Sequence, residues 1–153
     1  MKTFTTILAA IDFSENSDYA FDLAVTIATA FNSRLVVLHV IDNLVYTRGF
    51  YMPFPYLDDY PSINQLEKEL EESAKTMMTR FCESRLAGFS NYTSSIETGT
   101  PFREIISMAN KTAASLIVLG THGRSGLDRL VFGSTAERVV RGAPCSVLTV
   151  PLP

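Results

Sequence analysis

The sequence predicts an α/β protein of three layers, with a five-stranded parallel sheet covered by helices on both faces. Three observations carry this. Short apolar, β-branched runs alternate with stretches of helical period four times, and the series closes on a strand. Two of those runs, RLVVLHVI and SLIVLG, are apolar at consecutive positions, as strands buried on both faces must be. The chain has 153 residues and a hydrophobic fraction of 46%, which suits one domain, 1–153, with a full-sized core.

The elements follow in order. FTTILAAI (4–11) is a short apolar run that ends at Asp12 and reads as the first strand. DFSENS is rich in helix-start residues. Apolar residues then recur at helical spacing from Tyr19 to Phe31, so the spacing predicts a helix over 15–31, broken by Asn32-Ser33. The second strand is 34–41. Residues 43–62 form a long connection with six aromatic residues and Pro53, Pro55 and Pro61. It reads either as an insertion whose aromatics pack on a neighbouring face or as a lid or partner surface.

A long amphipathic helix follows over 63–88. Leu66, Leu70, Ala74, Met77, Met78, Phe81 and Cys82 are expected on its inner face. Its acids gather in the first half and its arginines in the second, which complements the helix dipole. NYTSSIETG contains the third strand. The next helix has Thr100 as a candidate cap and Pro101 at its first position. Residues 115–120 are the fourth strand, a short helix is expected near 134–141, and CSVLTV (145–150) is the fifth strand.

Composition narrows the function. The formal net charge is -3, which lacks the basic bias of a phosphate-backbone binder and argues against nucleic acid as the main partner. The two cysteines, Cys82 and Cys145, form no CxxC and have no histidine at ligand spacing, so they read as packed thiols of a reduced, cytoplasmic protein, with an interchain or redox role as the alternative. The apolar run near the N-terminus is too short for a signal-peptide core or a membrane span, and the chain is read as starting at Met1.

The informative segment is GTHGRSGLDRLVFGSTAERVVRG, 120–142. Two residues separate Gly120 from Gly123, and nine separate Gly123 from Gly133, with Ser134 and Thr135 next. Gly120 would let the backbone leave the strand sharply and let a ligand approach. Gly123 would allow a tight turn. Gly133, Ser134 and Thr135 open a helix, where free N–H groups and the dipole favour an anion. Neither GxxxxGK[ST] nor GxGxxG is present. By spacing alone a phosphate cradle and an ordinary turn both fit. If the strands lie in the order 3-2-1-4-5, the ends of strands 1 and 4 flank the point where the order reverses. Ligands of open α/β sheets sit there.

The pattern Gly-x2-Gly-x9-Gly-Ser/Thr resembles the nucleotide-binding signature of the universal stress proteins, in their ATP-binding branch. ILAAIDFSENS resembles that family's first strand and turn, LVVLHVID its second strand, and 120–150 its C-terminal third. Only the aromatic segment at 43–62 falls outside the resemblance. It implies a Rossmann-like fold of the adenine nucleotide alpha-hydrolase type. It also implies an ATP, ADP or AMP site with Mg²⁺ held through the phosphates. Asp12 would lie beside adenine and ribose, and Val40 would offer backbone groups to the adenine edge. Leu119 and Gly120 would border the ribose, while Gly123, Gly133, Ser134 and Thr135 would hold the phosphates. His122 and Arg124 would reach the outer phosphates from the rim. Where the family pattern often has Pro this chain has Ala10, a change of pocket shape.

Plainer readings stand beside these. Asp12 would merely cap the first helix, His39 is a core histidine, His122 a solvated loop residue, and Arg124, Asp128 and Arg129 a surface charge cluster. The resemblance implies a regulatory, stress-response module acting as a homodimer, paired antiparallel through Cys145–Val150 at a sheet edge. The alternative is a slow ATPase or phosphotransfer enzyme using the same pocket. Phosphoryl transfer needs metal-held phosphates and an oriented nucleophile, and no paired acids or catalytic triad are evident by spacing. A third reading, a structural dimer without ligand, sits poorly with an intact glycine signature.

Overall fold

Five parallel strands carry the apolar runs: β1 Thr6–Ile11, β2 Arg34–Asp42, β3 Tyr92–Gly99, β4 Leu116–Gly120 and β5 Ser146–Val150. They lie in the order β3-β2-β1-β4-β5. Among the described residues four helices connect them: α1 Glu15–Phe31, α2 Ile63–Arg85, α3 Pro101–Lys111 and α4 Ser134–Gly142. The structure is a computed structural model that describes residues 4–43, 63–122 and 133–153. The aromatic segment 44–62 lies outside the described residues, as do Gly123, Arg124, Asp128 and Arg129.

Strand side chains alternate between the two faces, and the core divides accordingly. Ile7, Ala9, Leu35, Val37 and Val118 pack against α1 and α2, with Phe21, Ala24, Met78 and Cys82. Leu8, Val36, Leu38, Ile117 and Leu119 pack against α3 and α4, with Ile105, Met108, Ala136 and Val139. Each central strand is therefore apolar on both faces because each face meets a helix layer. Among the described residues no helix is long and apolar enough to cross a membrane.

Local signals explain most boundaries. Ser14 is the N-cap of α1, and its side chain accepts a hydrogen bond from the Ser17 N–H. Asn32 closes the helix in the left-handed region at φ 52, returning its N–H to Ala28 and Thr29. Pro101 opens α3, but Thr100 makes no side-chain capping bond, so the expected cap is one of position only. The first strand begins at Thr6, not at Phe4, and the fifth at Ser146, not at Cys145. The Phe4 carbonyl is taken by the Ser33 hydroxyl, outside the ladder. Helix α2 stops at Arg85, and the turn beyond it holds Gly88 at φ 86. On α2, Ala74, Met78 and Cys82 are buried as expected, whereas Met77 is 40% exposed.

Candidate functional site

The crevice forms where the chain changes direction. From β1 the chain passes through α1 to β2 on one side, while β4 lies on the other. The carboxyl ends of β1, β2 and β4 thus face an open cleft of about 780 Å³. That is within the usual size of small-molecule sites. Nine of the residues singled out in the sequence line it: Ala10, Asp12, Val40, Leu119, Gly120, His122, Gly133, Ser134 and Thr135. The other two, Gly123 and Arg124, lie outside the described residues.

Register explains the grouping. Ala10 stands beside Leu38 of β2 and Leu119 of β4. Two residues on from Leu38, Val40 points to the same face. Ala10, Val40 and Leu119 therefore form one apolar wall at the strand ends. The opposite wall is a stripe of α2, Leu70, Ser73, Ala74 and Met77, at i, i+3, i+4 and i+7. Its aim into the cleft accounts for the exposure of Met77. Periodicity marked this face as apolar but gave no sign of what it would meet.

Asp12 follows the last residue of β1 and does not cap α1. Its Oδ1 accepts the Ser14 N–H at 3.0 Å, and its own N–H donates to Ser17 Oγ at 3.3 Å. The cap is Ser14, so Asp12 shapes the turn that precedes it. Next to it, Phe13 sits at φ 60, a region that L side chains rarely adopt. Its ring lies 4.6 Å from His39 and 5.8 Å from Phe81. His39 is buried, and its Nδ1 donates to the Ile11 carbonyl at 2.9 Å. That matches its reading as a core histidine, although it also borders the cleft.

The glycines act differently from the sequence argument. A Cβ on Gly120 would lie 2.7 Å from Asn16 Oδ1 and 2.8 Å from its Cγ. Gly120 is therefore small because the first turn of α1 packs on it. This packing stands beside the expected approach of a ligand, since Gly120 also lines the cleft. Gly133 has an ordinary φ of -58, yet a Cβ there would meet the Thr121 carbonyl oxygen at 2.9 Å. Its N–H donates to that same oxygen at 2.8 Å, which brings the two ends of the glycine segment together. As the N-cap of α4, Gly133 offers no side chain to the helix. Helix geometry leaves the N–H groups of Ser134, Thr135 and Ala136 without intrahelical acceptors, and all three residues line the cleft.

His122 is not a free loop residue. Its backbone N–H donates to Asn16 Oδ1 at 2.8 Å, and its Nδ1 lies 2.8 Å from Thr121 Oγ1. Its Nε2 is buried with no hydrogen-bond partner among the described residues. Asn16 and Thr121 were missed in the sequence. Asn16 sits in DFSENS, where any polar residue suits a helix start, so nothing local marked it. No group of three or more His, Cys, Asp or Glu among the described residues is placed to hold a metal ion.

Comparison with known proteins agrees with this architecture. The family model described as the universal stress protein family matches residues 3–151. The chain is 35% identical over 145 residues to universal stress protein A homolog 1 of Coxiella burnetii, covering 94% of each chain. It superposes on universal stress protein UspA from Lactobacillus plantarum with a TM-score of 0.79 at 30% identity, covering 98% of this chain and 99% of that one. It shares its fold, at a TM-score of 0.70 and 21% identity, with a universal stress protein crystallised in complex with cAMP, covering 97% of this chain and 98% of that one.

Proposed function

The chain belongs to the universal stress protein family, and we propose that it is an ATP-binding regulatory module of the cytoplasm that works as a homodimer. The observation that carries the reading is one cleft at the reversal of strand order, lined by the first turn of α4 and by His122, whose Nε2 has no hydrogen-bond partner among the described residues. In this reading adenine lies on the wall of Ala10, Val40 and Leu119. Asp12 and Gly120 border the ribose. Phosphates lie against Gly123, Gly133, Ser134 and Thr135, with His122 and Arg124 at the outer end. The bound nucleotide supplies the charged group that these donors recognise. The residues fit it: Gly133, Ser134, Thr135 and Ala136, at the opening of α4, all line the cleft. Mg²⁺ would be held through the phosphates.

The dimer would form by antiparallel pairing of β5, which among the described residues borders only β4 and so presents one edge for pairing. Slow hydrolysis or phosphotransfer in the same cleft is the alternative. The test is direct. Purified protein is denatured, and the released material is identified by ion-exchange chromatography. The stripped protein is then titrated with ATP and Mg²⁺ while ADP is followed. Bound adenine nucleotide with negligible turnover is expected. Rapid ADP release would make the protein an enzyme, and no binding at millimolar ATP would sink the nucleotide reading.

A further inference from the structure

Asn16 occupies a place that its position in the sequence does not explain. It lies in the first turn of α1, yet its partners are 106 and 134 residues away. Its Nδ2 donates to the Val150 carbonyl at 2.9 Å, and its Oδ1 accepts the His122 N–H at 2.8 Å. The side chain is 3% exposed. It rests on Gly120, where any Cβ would collide with it. The Val150 carbonyl also accepts the Thr121 N–H at 3.1 Å, and the Thr121 carbonyl accepts the Gly133 N–H at 2.8 Å. One amide therefore joins the start of α1, the end of β5 and the two residues that leave β4.

A buried amide with both ends satisfied fixes its neighbours, because breaking either bond leaves a desolvated group without a partner. What it fixes here is the backbone of His122, a residue that lines the cleft and whose Nε2 is buried with no hydrogen-bond partner among the described residues. We infer that Asn16 is a positioning residue: it holds the Thr121–His122 backbone so that His122 Nε2 serves as an anion donor in the cleft. With the Thr121 hydroxyl as the donor to Nδ1, 2.8 Å away, the ring hydrogen lies on Nε2, where a phosphate oxygen can accept it. The inference rests on the reading that this cleft takes a phosphorylated ligand.

The test uses the full chain labelled with ¹⁵N at histidine, which gives two rings, His39 and His122. His39, bonded to the Ile11 carbonyl, reports whether the fold is intact. Inorganic tripolyphosphate, adenosine and ATP are each titrated into the wild type and Asn16→Ala, a variant that adds no charge. If Asn16→Ala shifts the His39 signals, Asn16→Ser replaces it. In the wild type the His122 nitrogens should report the Nε2–H tautomer and move with tripolyphosphate and ATP. In the variant, tripolyphosphate and ATP should bind at least about tenfold more weakly, with adenosine affinity unchanged. A structural role alone would lower all three affinities together or none.

Equal tripolyphosphate affinity in wild type and variant overturns the inference. So does a wild-type His122 that ignores tripolyphosphate while ATP binds, an outcome that leaves the nucleotide reading standing. A His122 response to tripolyphosphate with no gain from adenosine does the reverse: it removes the adenine reading and keeps the positioning role. Binding of none of the three overturns both.

Discussion

At the scale of single residues, the glycines and the left-handed positions carry the sharpest predictions. Gly133 sits 2.9 Å, measured from an ideal Cβ, from a backbone oxygen that cannot rotate away. Gly133→Ala should open the Thr121–Gly133 closure. ATP affinity by titration calorimetry should then fall about tenfold or more. An unchanged affinity would mean that the closure plays no part in the site. Ala113 lies exposed at φ 50, just past α3. A left-handed alanine costs about 1–2 kcal/mol, whereas glycine adds flexibility to the unfolded chain worth about 0.4–1 kcal/mol. Ala113→Gly should therefore stabilise the protein by up to about 1 kcal/mol, a rise in Tm of about 2–4 °C for a chain of this size. A fall in Tm would show that the unfolded-state term wins. Phe13 is not open to the same change, because its ring packs on His39 and Phe81.

At the scale of elements, β5 is the informative strand. The Val150 carbonyl faces inward, since it accepts the Thr121 N–H. Backbone groups alternate along a strand, so the N–H and C=O of Thr149 face the free edge. Thr149→Pro removes an outward donor and leaves the β4 ladder whole. Sedimentation at micromolar protein should show the wild type as a dimer and Thr149→Pro shifted toward monomer, with the circular dichroism of the fold retained. A monomeric wild type would remove the edge-pairing model. Helix α4 is the second such element. It is short, at nine residues, and such a helix depends on tertiary contacts. Ala136 and Val139 supply them by packing on β4 and α3 residues, and this holds the N-terminal turn at the cleft.

At the scale of the whole molecule, the cleft joins both layers and the sheet, so a ligand there should stabilise the fold as a unit. ATP at about one hundred times its Kd should add about 2.7 kcal/mol and raise Tm by about 5–10 °C for a domain of this size. The absence of any shift at saturating ATP would contradict binding to the native state. The acid–base balance of the core is simple by comparison. Burial pushes the Cys82 thiol up from its ordinary pKa, and its S–H points to Met78 Sδ at 3.8 Å, which keeps it a packed thiol.

Helix and strand identity and the parallel sheet were legible in the sequence by itself, whereas the roles given to residues at the strand ends came from the family resemblance. The first two follow from local chemistry. β-branched runs mark buried strands, Ser14 and Asn32 mark the ends of α1, and glycines beside Ser134 and Thr135 mark the mouth of α4. What only the tertiary structure decided was why particular side chains are required. Gly120 is small because of Asn16, Gly133 because of the Thr121 carbonyl, and Met77 is exposed because α2 walls the cleft. These contacts join residues many positions apart, and a one-dimensional pattern records period and composition but no distance between strands. The physical reason is range: secondary structure answers to neighbours within a few residues, whereas a site is made by close packing between elements that meet only in the folded chain.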